Sequence, residues 1–215
     1  MRKQVLIIIF VCFCYPFYGQ ELLAETWYQV RWVDDGDTIV LQDGRHVRYI
    51  GINAPEIEHE DQNAEPFGNK AKSFNKKLVY HQKVRLEYDQ EKQDQYGRLL
   101  AYVFLKDGTF VNARLLTQGY AFFLYRRPNL KYNSILLASQ QEAMSSEKGI
   151  WQEWNEQNAT YIGNKRSRRF HLPACPFAKK IKSSNRVLFK KKWDAFWGGY
   201  APAKKCVKEY SQFLN

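Results

Sequence analysis

Residues 27–52 read WYQVRWVDDGDTIVLQDGRHVRYIGI, and this stretch decides the fold. Trp27 to Val33 and Thr38 to Leu41 are rich in β-branched and aromatic residues, which suit a pleated, half-buried surface. The carboxylates and glycine of Asp34-Asp35-Gly36-Asp37 separate them as a turn. Asp43-Gly44 is a hairpin signal, and a third strand is predicted from His46 to Ile52. Downstream, Pro66 suits the first turn of a helix running to about Tyr80. Phe67, Ala71, Phe74 and Leu78 fall on one face of that helix. Val84 to Tyr88 and Leu99 to Leu105 read as strands, with Asp107-Gly108 as the next turn. Helices are predicted over Val111 to Gln118 and Lys131 to Ser146. Three strands, a helix, two strands and then helices describe a small closed β-barrel with helices packed outside it.

The chain has 215 residues, enough for one domain or one with a small companion. A hydrophobic content of 45% excludes disorder as the main state. Mean hydropathy of −0.57 and a single apolar run exclude a multi-spanning membrane protein. Arg2 and Lys3 precede that run, Val5 to Phe17, and Gly19 follows it. Residues 1–19 therefore read as a signal peptide cleaved near Gly19, in preference to an uncleaved anchor or a lipidated Cys12 or Cys14. A secreted or periplasmic location follows, with Cys175 and Cys206 left in an oxidising compartment. Net charge is +11, but it is unevenly placed. From Lys165 to Lys208 there are 14 Lys and Arg against the single acid Asp194. The region before it, from Gln20 to Asn164, is slightly acidic, so the composition shifts near Asn155 to Thr160. A basic segment of this kind points to a polyanionic partner.

Three short stretches carry chemistry. In Asp34-Asp35-Gly36-Asp37-Thr38 a glycine turn lets two carboxylates face one point, as a hard cation requires. Val47 to Glu56 brings an arginine (Arg48), an amide oxygen (Asn53) and a carboxylate (Glu56) together. Strict strand alternation would put Arg48 and Asn53 on opposite faces, unless Gly51 and Pro55 bend or end the strand. Asp94-Gln95-Tyr96-Gly97-Arg98 adds a second arginine after a glycine turn. Two carboxylates, two arginines and one further acid suit phosphoryl hydrolysis, in which cations neutralise the phosphate and a carboxylate positions water. His59, among Glu58, Glu60 and Asp61, reads as a solvated loop residue.

These stretches resemble the staphylococcal nuclease family from about Trp27 to Trp151. They include the D-G-D-T turn, R-x-x-x-I-x-A-P-E, D-x-Y-G-R-x-L-A-Y and the final Gly149-Ile150-Trp151. The resemblance implies an α+β, mainly β fold over residues 25–155: a five-stranded OB barrel with about three helices. It also implies calcium-dependent endonucleolytic hydrolysis of DNA and RNA, leaving 3′-phosphate and 5′-hydroxyl ends. By position, Asp37 resembles a calcium ligand, the Ala54 carbonyl another, and Asp35 an acid acting through water. Asn53 stands where the family usually has Asp, so weaker calcium binding is expected. Glu56 matches the general base, and Arg48 and Arg98 the arginines that clamp the phosphate. Tyr96 matches the tyrosine beside the substrate phosphate, although Gln95 replaces a Lys, and Tyr125 resembles a base-stacking residue.

Residues 160–210 are similar to the zinc-binding domain of the Ada DNA-repair protein, through His171-Leu172-Pro173-Ala174-Cys175-Pro176 and Gly199 to Cys206. That pattern supplies four cysteines. Here His171 replaces the first and Ala203 the third, which leaves three ligands where a structural zinc takes four. Zinc is therefore ranked below a metal-free module or a disulfide, the resemblance implying that Cys175 and Cys206 lie close together. Two function classes follow: a monomeric exported nuclease with a basic nucleic-acid tether, or a non-catalytic OB-fold protein that binds nucleic acid. Arg48, Glu56 and Arg98 favour the enzyme, and Asn53 favours binding alone.

Overall fold

The computed structural model describes residues 25–58, 63–152, 154, 156, 159–204 and 206. The signal-peptide reading of residues 1–19 and His59 lie outside them. Eleven strands and five α-helices follow one another along the described residues. The first part holds β1 (Trp27–Val33), β2 (Thr38–Leu41), β3 (His46–Tyr49), β4 (Ile52–Asn53), α1 (Gly68–Val79), β5 (Lys83–Glu87), β6 (Leu99–Leu105), α2 (Val111–Thr117), β7 (Phe122–Phe123) and α3 (Asn133–Ser145). A 3-10 turn, Gly149–Trp151, ends it. The second part holds β8 (Tyr161–Asn164), β9 (Arg169–His171), α4 (Pro176–Lys179), β10 (Arg186–Phe189), α5 (Lys192–Trp197) and β11 (Ala201–Pro202).

Five strands close a barrel in the order β1-β2-β3-β6-β5, the OB architecture. The β3–β6 pair is parallel, with Arg48 opposite Leu100, and the other pairs are antiparallel. Val30, Ile39, Val47, Val84 and Val103 fill the interior with no exposed surface. Burial of apolar area of this kind is the main force holding the barrel together. The helix predicted from Pro66 begins two residues later, at Gly68. Phe67 takes a left-handed conformation (φ 69°) just before it. The helix start packs tightly on the preceding loop: a Cβ on Gly68 would lie 2.2 Å from the Glu56 carbonyl oxygen. Ala71 and Val79 are buried, Phe74 and Leu78 pack on the barrel core, and Phe67 turns to a second cluster instead.

That second cluster joins the two parts of the chain. Phe122, Ala143, Met144, Ile150 and Trp151 share it with Tyr161, Phe170, Ala195, Phe196 and Tyr200. The Phe196 ring centroid lies 5.2 Å from Phe122, and 5.4 Å from each of Trp151 and Phe170. The buried Gln140 side chain accepts from Phe123 N (2.7 Å) and donates to Phe196 O (2.7 Å). The basic second part, a four-stranded sheet ordered β10-β8-β9-β11, is therefore packed onto the barrel. Among the described residues no helix is long and apolar enough to cross a membrane.

Candidate active site

The strand carrying Arg48 ends at Tyr49, and Gly51 adopts φ +78°, a conformation that favours glycine. The chain is thereby re-aimed, and the alternation that would separate Arg48 from Asn53 is broken. Arg48 Nη1 donates to the carbonyls of Tyr49 (2.9 Å) and Ile52 (3.0 Å), and Nη2 donates to Asn53 Oδ1 (3.1 Å). The same nitrogen lies 2.9 Å from Asp37 Oδ2.

Asp37 is held from several sides. Its Oδ2 accepts from Ala54 N (2.6 Å), its Oδ1 from Thr38 Oγ1 (3.3 Å), and its own N–H donates to Asp35 Oδ1 (2.8 Å). The turn fits tightly at Gly36, where a Cβ would meet the Ala54 and Ala71 side chains at 2.5 and 2.8 Å. Asn75, buried on α1, donates to Asp35 O (3.1 Å) and accepts from Tyr49 Oη (3.0 Å), tying the turn to the helix. Burial drives the Asp37 carboxyl well above the carboxylate range; Arg48 works against that shift and Asp35 adds to it.

Glu56 lies on the loop after β4, half-buried, and its backbone N–H donates to Glu65 Oε2 (2.8 Å). Its Oε1 is 3.7 Å from Lys204 Nζ, a group from the second part of the chain. Arg98 is fixed by Asp94, whose Oδ2 accepts from Nε and Nη2, each at 2.8 Å. Burial alone would raise the Asp94 carboxyl, but the hydrogen bonds from Arg98 and from backbone N–H groups hold it below its ordinary value. The Arg98 guanidinium lies over the Tyr96 ring, 5.5 Å from its centroid, and Tyr96 is 74% exposed.

Asp35, Asp37, Arg48, Asn53, Ala54, Glu56, Tyr96 and Arg98 all line one cleft. Tyr125 is not part of that lining: its ring packs on the barrel core and its Oη accepts from Arg127 Nε (2.9 Å). The sequence reading assigned no role to Asp94, Glu65, Asn75 or Gly68. Asp94 could have been found from the glycine turn of Asp94-Gln95-Tyr96-Gly97-Arg98, which folds the acid back onto the arginine; the other three depend on contacts distant in sequence.

The donor set suits a hard cation. Asp37, the Asn53 amide and the Ala54 peptide are neighbours, with Asp35 behind them and Asn53 Oδ1 held by Arg48, and each carries an oxygen of the kind a hard cation takes. A buried carboxyl with a raised proton affinity is also a site that favours added positive charge. In this arrangement the Arg48 guanidinium supplies that charge. Asn53 Nδ2 donates to Ala54 O (3.1 Å), so the amide and the carbonyl are already neighbours.

Cys175 and Cys206 are joined by a disulfide, with Cα atoms 5.7 Å apart. His171 Nδ1 lies 3.4 Å from the Cys206 sulfur and 3.5 Å from that of Cys175. The ligand atoms of His171, Cys175 and Cys206 all lie within 4.8 Å of one another, a grouping that could hold a metal ion were the two cysteines reduced. Burial lowers the His171 imidazole below its ordinary value.

Comparison with known proteins agrees with the barrel. The profile of staphylococcal nuclease homologues matches residues 46–153. The thermonuclease of Staphylococcus intermedius is 42% identical over 128 residues, 58% of this chain and 76% of that protein. The thermonuclease of Staphylococcus hyicus is 40% identical over 136 residues, 62% of this chain and 80% of that protein. Endonuclease YncB of Bacillus subtilis (strain 168) is 41% identical over 122 residues, 54% of this chain and 57% of that protein. With its closed five-stranded barrel and the matched segment spanning β3 to the Gly149–Trp151 turn, the chain belongs to the staphylococcal nuclease family.

Proposed function

We propose that this protein is a calcium-dependent nuclease that hydrolyses phosphodiester bonds within DNA and RNA, leaving 3′-phosphate and 5′-hydroxyl ends. The observation that carries this reading is the convergence of Arg48, Arg98 and Glu56 on one cleft beside the oxygen cluster of Asp37, Asn53 and Ala54. The thermonuclease and endonuclease relatives support it.

Asp37, Asn53 Oδ1 and Ala54 O would hold the cation, with Asp35 reaching it through water. Bound calcium supplies positive charge to a phosphate oxygen. Arg48 and Arg98 present guanidinium N–H donors that suit phosphate oxygens, Arg98 through the N–H groups that Asp94 does not take. Their charge stabilises the crowded, more negative phosphorus centre of the transition state. Glu56 orients a water and takes its proton as the water oxygen bonds to phosphorus. The bond to the 5′ oxygen breaks, and that oxygen leaves and takes a proton from solvent to become a 5′-hydroxyl. Asp94 acts as a positioning residue by holding Arg98.

The test is digestion of plasmid DNA and of RNA with calcium and with chelator, followed by analysis of the ends. Fragments with 3′-phosphates that form only with calcium are expected. Tight binding of nucleic acid without any cleavage would favour the non-catalytic OB-fold reading to which Asn53 lends weight.

A further inference from the structure

The second part of the chain lines the same cleft as the candidate active site. Asn164, Arg169, Phe177, Lys180 and Lys204 form its far wall, and the enclosed volume is about 850 Å³. This wall brings three cations and no acid. Tyr96 on the barrel side is 74% exposed and Phe177 on the facing side is 43% exposed. Lys180 is exposed as well. Lys204 reaches Glu56 itself, at 3.7 Å.

The wall is held in place. Arg169 Nη1 donates to Tyr125 O (3.2 Å), and Gln141 Nε2 donates to Trp197 O (2.9 Å). The shared aromatic cluster and the Gln140 bridge fix the sheet to the barrel behind it. A loose basic tether would leave its charges free to sample any surface. Here the fixed core directs Lys180, Lys204 and Phe177 at the cleft, while Lys190 is exposed on the same part of the chain but does not line it.

We infer that this wall is a strand-binding subsite, in which Lys180 and Lys204 meet backbone phosphates flanking the scissile one and Phe177 stacks on a base. The inference rests on the nuclease reading of the cleft. A groove that pairs cations with exposed aromatic faces is the general way a nucleic-acid strand is held without sequence readout. The ligand is a strand several nucleotides long, since a dinucleotide at the scissile position leaves the far wall only partly used.

The experiment uses the full chain, with calcium chelated for binding and restored for turnover. The probes are a single-stranded oligonucleotide of about 8 nucleotides, within the ~4–16 spanned by one OB fold, and a dinucleotide. Lys180→Ala should weaken binding of the longer strand and make its salt dependence shallower by about 0.7, the slope for one phosphate contact on a single strand. Phe177→Ala should raise the dissociation constant about five- to tenfold, the lower end for loss of one stacked base. Both should raise KM for the longer strand more than for the dinucleotide. Lys190→Ala removes the same charge away from the cleft and should change neither. Parent-like binding by both wall variants would overturn the subsite, and so would an equal loss in Lys190→Ala, which would mean diffuse charge. A parent chain that binds the strand with these wall effects but never cuts it would leave the subsite standing and sink the hydrolytic reading alone.

Discussion

Arg48 and Asp37 form an ion pair across the mouth of the oxygen cluster, Nη2 to Oδ2 at 2.9 Å, with side chains only 14% and 6% exposed. The guanidinium thus neutralises the carboxylate that the donor set offers to a cation. A cation entering that cluster would take over this role and free Arg48 for phosphate. Two competing positive charges on one carboxylate make their binding mutually unfavourable.

From this pair comes the first prediction. Arg48→Gln should tighten calcium binding in the absence of substrate, because a competing charge is gone. It should also cut turnover by about 10²–10³, the usual cost of removing one donor from a developing negative charge. Calorimetric calcium titration and a rate measurement read the two effects separately. Weaker calcium binding in the variant would show that Arg48 does not compete at Asp37.

Glu56 sits half-exposed at the cleft, and its loop position is fixed by backbone bonds to Glu65 rather than by its own carboxylate. Glu56→Gln should therefore leave the melting temperature nearly unchanged. Turnover should fall by about 10²–10⁴, the worth of a positioned base. A rate within a factor of two or so of the parent removes Glu56 from that role.

Calcium binding should be coupled to protons. Burial holds the Asp37 carboxyl above its ordinary range, so part of the metal-free population carries a proton there at neutral pH. The cation requires the ionised form, so binding releases that proton and tightens as pH rises. The sign in stability is opposite: a group that binds its proton more tightly when folded favours the folded state at low pH and loses that contribution as pH rises through the folded value. Asn53→Asp adds a second carboxylate and should lower the calcium needed for half-maximal activity, most clearly above neutral pH. Titrations in buffers of different ionisation enthalpy count the protons, and an unchanged midpoint in the variant would place residue 53 off the metal.

Much of the barrel was legible because its strands are short β-branched runs bounded by Asp-Gly turns. The site was legible in part. Arg48 and Asn53 could be brought together on paper only if the strand bent or ended, which Gly51 and Pro55 allow, and the positive φ of Gly51 is where the chain turns. The start of α1 was not legible, since it depends on Gly68 meeting the Glu56 carbonyl across a loop. Nor was the far wall of the cleft. The charge run from Lys165 onward announces a polyanion, but where those charges face is decided by packing between distant parts of the chain, such as Phe196 on Trp151 and Phe122 and the Gln140 bridge.

That packing should make the two parts of the chain one cooperative unit. Phe196→Ala should destabilise the protein by about 3–5 kcal/mol, the range for emptying a large aromatic site in a core. The loss should appear in the barrel as well, because Phe122 and Trp151 lose a neighbour. Denaturant unfolding followed both by fluorescence and by backbone dichroism should show one shifted transition. Two separate transitions, with the barrel's midpoint unmoved, would refute the coupling.

The disulfide bears on function through its position. Cys175 lies two residues before Phe177, and Cys206 two residues after Lys204, so the bond clamps both ends of the far wall to each other. It closes a loop of sequence separation 31, which in the loop-entropy account contributes about 3–4 kcal/mol by restricting the unfolded chain. Reduction, or the double variant Cys175→Ser with Cys206→Ser, should lower the denaturation midpoint accordingly. It should also let Lys204 and Phe177 move apart, so KM for a strand of about 8 nucleotides, one OB-fold site, rises while kcat on a dinucleotide changes little. Thiol counting under denaturing conditions establishes the bond first, and the parent chain should show none of the two thiols of Cys175 and Cys206 free. If the parent and the double variant unfold at the same denaturant concentration, with or without reductant, the bond is not what holds this wall.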